Sequence, residues 1–91
     1  MQRQEQLSGY PAMLHCGHDA VEPVRWTLRS SPGSAVKNIT SSDRHYIRGS
    51  FLIINSVTVD DSGSYNCTDA AGELHFIQLN VSGELCKQSV L

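Results

Sequence analysis

Five consecutive residues, His15-Cys16-Gly17-His18-Asp19, hold the densest group of metal-capable side chains in this chain. Zinc would need three or four such ligands converging on one point. Ser, His and Asp side chains also occur, but without a nucleophile turn or any sign of an oxyanion hole. Three cysteines, Cys16, Cys67 and Cys86, could bridge or act as thiols. A further chemistry is that of acceptor amides. The pattern N-x-[ST] occurs at Asn38-Ile39-Thr40, Asn66-Cys67-Thr68 and Asn80-Val81-Ser82, and only Asn55 of the four asparagines lies outside it. One such sequon arises by chance in many chains, whereas three of four carry information about compartment.

Which of these groups can meet depends on the elements that hold them. Short alternating runs broken by turn residues read as all-β. Ala12, Leu14 and Cys16 share one face of a strand, with Met13 and His15 on the other. Val24, Trp26 and Leu28 alternate against Arg25, Thr27 and Arg29. Ser30-Ser31-Pro32-Gly33-Ser34 is a turn, since Pro fixes φ and Gly tolerates φ > 0. Phe51 to Val59 is rich in β-branched and aromatic residues, with Leu52, Ile54 and Val57 as its buried set. Asp61-Ser62-Gly63 makes a tight corner before Tyr65-Asn66-Cys67, and Ile77, Leu79 and Val81 mark a long last strand. Strands apolar on one face imply two sheets packed face to face over residues 1–82. Alternation stops at Gly83, so residues 83–91 read as a linker or tail.

Composition bounds the rest. Ninety-one residues make one domain, 40% apolar and 18% charged, with formal net charge −2. The seven basic residues are scattered, which makes nucleic acid a poor partner. No apolar run approaches the roughly 20 residues that span a bilayer, so this segment is not expected to insert into a membrane. The first residues lack an apolar signal-peptide core, so the segment reads as a piece of a larger secreted or membrane-anchored parent.

The decisive constellation is Cys16, Trp26 ten positions later, Leu52-x-Ile54-x-x-Val57, and Asp61-x-Gly63-x-Tyr65-x-Cys67. Over about residues 4–82 it resembles the immunoglobulin family. The resemblance implies an antiparallel two-sheet sandwich with Greek-key connections. It also implies a Cys16–Cys67 bridge between the sheets with the Trp26 indole packed against it, and a Tyr65 hydroxyl that returns to the backbone just upstream. Gly63 permits the turn there, and Asp61 is placed to pair with Arg44 or Arg48. With 26 positions between Trp26 and Leu52, the spacing is shorter than in variable-type domains although the corner is variable-like. That combination is similar to the intermediate, or I-set, subtype of adhesion molecules and receptor ectodomains. Ala71-Gly72-Glu73 stands where antigen receptors carry a Gly-x-Gly bulge, and the short Cys16–Trp26 gap makes a tight first loop.

A buried bridge implies an oxidising compartment, in agreement with the sequons, and hence an extracellular or cell-surface setting. Cytosolic muscle relatives, with thiols reduced, are the minority alternative. If Cys16 bridges, it is lost to a metal, and alternation turns His15 to the opposite face. No metal, cofactor or catalytic residue is therefore expected. His45 and His75 suggest no site. Cys86 either links to another chain or neighbouring domain, giving a disulfide-linked dimer, or is a passive thiol.

In relatives, the outer face of the sheet carrying Trp26, Cys67 and the last strand is the usual recognition face. Here it presents Arg25, Thr27, Arg29, Leu74 and Phe76, with Ser64, Asn66, Thr68 and Gln78 among them. Asn66 and Asn80 project from the same face, so a glycan on Asn66 would move binding elsewhere. The expected function is a recognition module of a cell-surface adhesion molecule or receptor, binding another protein, a second copy included. The alternatives are a structural spacer and an immune-type receptor domain.

Overall fold

The computed structural model describes residues 2–31 and 33–83. Eight strands run in chain order: β1 (Gln2–Leu7), β2 (Ala12–His15), β3 (Arg25–Arg29), β4 (Lys37–Ile39), β5 (His45–Arg48), β6 (Phe51–Ile54), β7 (Gly63–Thr68) and β8 (Leu74–Ser82). A 3-10 turn, Val59–Asp61, precedes β7. The strands form a five-stranded sheet ordered β1-β8-β7-β3-β4 and a three-stranded sheet ordered β2-β6-β5. The chain crosses between sheets from β1 to β2, from β2 to β3, from β4 to β5 and from β6 to β7, in the manner of Greek-key connections.

Strict alternation explains why the sheets meet. Along β7 every second residue, Gly63, Tyr65 and Cys67, is buried, and Ile77, Leu79 and Val81 do the same along β8. Ala12, Leu14, Trp26, Leu28, Leu52, Ile54 and Val57 complete the buried cluster between the sheets. Trp26 is the register partner of Cys67, which places the indole beside the bridge on the inner face. The bridge joins Cys16, just after β2, to Cys67 on β7, with Cα atoms 5.7 Å apart. It spans the two sheets and closes a loop of 51 positions, worth about 4 kcal/mol in chain entropy.

Two features differ from the sequence expectation. β1 pairs with β8 in parallel, from Gln2 opposite Ile77 to Leu7 opposite Ser82, so the sandwich is not wholly antiparallel. A parallel pair cannot be closed by a hairpin and needs a long connection, and here the whole run from β2 to β7 lies between the two strands. β6 stops at Ile54, because Ser56 takes φ +49° and breaks the extended run, yet Val57 still reaches the core. Cys86 and the rest of 84–91 lie outside the described residues, as does Pro32 in the expected turn. In that turn the Ser34 N–H donates to the Ser31 carbonyl at 3.0 Å.

Candidate functional site

Two aspartates are the buried charged residues among those described, Asp61 at 6% exposure and Asp69 at 5%, and each fixes a different end of the sandwich. Asp61 accepts from Arg44 Nη2 at 2.6 Å and from the Thr58 N–H at 2.7 Å, while its carbonyl accepts the Tyr65 hydroxyl at 2.6 Å. Of the two expected partners the structure selects Arg44, which precedes β5, and places Arg48 at the far end of that strand opposite Phe51. Burial opposes the Asp61 charge, but the Arg44 and Thr58 hydrogen bonds outweigh it and hold the carboxyl below its usual pKa. Burial raises the Tyr65 phenol well above its ordinary range, so the hydroxyl stays a donor. Gly63 is required by close approach: a Cβ there would stand 2.7 Å from the Arg29 carbonyl oxygen and 3.1 Å from the Ser30 Cα.

Asp69 was not singled out from sequence. Its Oδ1 accepts the N–H groups of Ala71 and Glu73 at 2.9 and 3.0 Å, and its Oδ2 accepts that of Val21 at 3.1 Å. These bonds, with Glu73 and Val21 leading, lower its pKa and tie the β7–β8 hairpin to the loop before β3. The only sequence signal is an Asp four residues before Glu73 at a turn carrying Gly72, a common Asx arrangement.

The histidines divide. His15 stacks on Phe51 with ring centroids 4.4 Å apart and meets His18 edge-on at 5.4 Å. The His75 ring sits 3.1 Å from where a Cβ on Gly17 would be. Among the described residues, no three His, Cys, Asp or Glu side chains converge where a metal could be held. Burial, then the nearby Arg44 charge, lowers the pKa of His45.

The outer faces carry the remaining candidates. On the five-stranded sheet, register aligns Asn38, Thr27, Asn66 and Phe76 in one row and Arg25, Thr68 and Leu74 in the next. Leu74 is 57% exposed and Phe76 42%, and Arg25 and Arg29 are exposed on β3. Asn38 therefore joins Asn66 and Asn80 on this face, although from sequence only the last two were expected there. The three-stranded sheet presents Met13, Ile53 and Tyr46 in one row and His15, Phe51 and Arg48 in the next. Met13 is 53% exposed and Tyr46 38%. None of its strands holds a sequon.

No protein-family model and no curated protein matches the sequence, so likeness to known proteins is one of structure. A structure described as the basis for Dscam isoform specificity superposes on 89% of this chain with TM-score 0.74 at 23% identity, and the match covers 22% of that chain. A Dscam1 isoform solved as its N-terminal four Ig domains superposes on 88% of this chain with TM-score 0.74 at 25% identity. This chain spans about a fifth of those Dscam chains, 22% of the second as well. The extracellular domain of the voltage-gated sodium channel beta4 subunit, whose parallel homodimers explain its role in cell-cell adhesion, matches over 90% of this chain. That match covers 85% of the beta4 chain with TM-score 0.68 at 17% identity. With the crossed bridge, the buried tryptophan and the tyrosine corner in place, this chain has the immunoglobulin fold.

Proposed function

We propose that this domain is an extracellular recognition module of a cell-surface adhesion molecule or receptor. It binds a protein partner, with a second copy of itself the first candidate, through the outer face of the five-stranded sheet. It is a non-enzymatic domain of the intermediate subtype, a reading supported by the short spacing between Trp26 and Leu52. The carrying observation is the exposure of Leu74 and Phe76 beside Arg25. Aromatic and arginine side chains are the residues that most often dominate protein interfaces. The beta4 subunit offers the precedent of homodimeric adhesion on the same fold.

A spacer role draws on a different observation, the three sequons on that same sheet, since a glycan-covered face cannot dock tightly. Sedimentation velocity over a wide concentration range separates the two. Recognition by self-association requires a reversible dimer that survives Cys86→Ser and weakens at least tenfold in Phe76→Ala or Arg25→Glu. A dimer lost in Cys86→Ser is covalent. A monomer at every concentration ends the homophilic reading and favours the spacer. Association that resists Phe76→Ala but fails in Tyr46→Ala moves the interface to the other sheet.

A further inference from the structure

All three sequon asparagines come to one outer face, from β4, β7 and β8, but their surroundings differ. Asn38 is exposed on a three-residue edge strand, with a neighbouring strand on one side only. Asn80 lies toward the end of β8, where β7 has not yet begun. The residue across from it, Ser62, turns its hydroxyl to the Val81 N–H at 2.9 Å, and on the other side stands Glu5 of β1. Asn66 sits mid-sheet between Thr27 and Phe76. Its Oδ1 is buried and has no hydrogen-bond partner among the described residues, so one side of the half-buried amide is already packed against its neighbours. The middle residue of its sequon is Cys67, fixed in the core by the bridge.

From these placements we infer that Asn38 and Asn80 are N-glycosylated while Asn66 is bare. Two glycans then stand at the margins of the sheet and leave Arg25, Thr27, Leu74 and Phe76 open between them. The inference rests on the reading that the chain passes through a secretory pathway. In the transfer, Nδ2 of the asparagine attacks the anomeric carbon of a lipid-linked oligosaccharide diphosphate. A C–N bond forms, the C–O bond to the diphosphate breaks, one amide proton is released and the lipid diphosphate leaves, with no change of oxidation state. A branched sugar is bulky and solvated. At Asn66 it would have to rise between two cross-strand neighbours roughly 5 Å away on either side.

The test is site-by-site occupancy of the 91-residue chain secreted from a eukaryotic host. N-glycosidase in heavy-oxygen water converts each formerly glycosylated asparagine to labelled aspartate, read by peptide mass spectrometry. Near-complete label at Asn38 and Asn80 with essentially none at Asn66 is expected. Asn38→Gln and Asn80→Gln should each remove one glycan, and Asn66→Gln none. Label at Asn66, or an unlabelled Asn38 or Asn80, overturns the inference. If Asn66→Gln fails to fold, wild-type occupancy at Asn66 still decides. A monomer with the expected labels ends the homophilic reading and leaves this one standing. A self-associating chain with label at Asn66 does the reverse.

Discussion

The outer faces of the two sheets arise from the same alternation, yet they present different surfaces. The five-stranded sheet shows arginines, hydroxyls and three sequon asparagines around an exposed Leu74 and Phe76. The three-stranded sheet shows a continuous apolar row, Met13-Ile53-Tyr46, beside stacked His15 and Phe51, with no sequon in its strands. Apolar content alone would therefore choose the smaller sheet as the docking surface. Arginine content and the framing by Asn38 and Asn80 choose the larger. An exposed apolar row of this size is ordinary on a monomer, so composition does not separate the two faces, and mutation must.

The largest effect is expected from cutting the covalent link between the sheets. Cys16→Ala with Cys67→Ala should lower stability by about 4 kcal/mol in urea unfolding. A much smaller loss would show that core packing alone couples the faces. The next link joins the approach to β5 with the corner before β7. Asp61→Ala leaves the Thr58 N–H and the exposed Arg44 without their acceptor and should cost about 1–3 kcal/mol. A loss under about 1 kcal/mol would place the pair with ordinary surface ion pairs. Within the five-stranded sheet, Gly63→Ala drives a methyl into the Arg29 and Ser30 backbone and should cost about 2 kcal/mol, measured the same way.

Acid acts on the same links. The folded pKa values of Asp61, Asp69 and His45 are all lowered. The unfolded chain therefore binds more protons, and stability falls as pH falls. His45 should contribute a small decline just below the usual imidazole pKa of about 6.5. The aspartates contribute fully above the ordinary carboxylate pKa of about 3.9, and their share is lost as pH drops through the lower folded values. Thermal melts from pH 8 to pH 2 should show this order, and Asp61→Asn should flatten the acid limb. The smallest stability effects belong to the outer faces. Phe76→Ala and Tyr46→Ala should each change stability by less than about 1 kcal/mol, and only the first should weaken self-association.

The core was legible because burial repeats with the period of a strand. Leu14, Trp26, Leu52, Tyr65 and Leu79 are all fully buried at positions that alternation marks. The outer face containing Arg25, Thr27 and Phe76 follows from the same parity. β1 was not legible: Gln2-Arg3-Gln4-Glu5-Gln6-Leu7 has no apolar alternation and is held by its backbone ladder to β8 and a Gln4 Nε2 hydrogen bond to the Met13 carbonyl. β4, at three residues, is too short to show a period, and that hid the place of Asn38 on the outer face of the five-stranded sheet.

By itself, the sequence determined which residues face inward, which cysteines could close the core and where the corner before Cys67 lies, because parity and local turn chemistry are properties of neighbouring residues. Only the tertiary structure decided that Arg44 rather than Arg48 meets Asp61, that Asp69 gathers the N–H groups of Val21, Ala71 and Glu73, and that all three sequons share one sheet. These depend on strand order, direction and register, which are set by contacts between residues far apart in the chain and leave no local period to read.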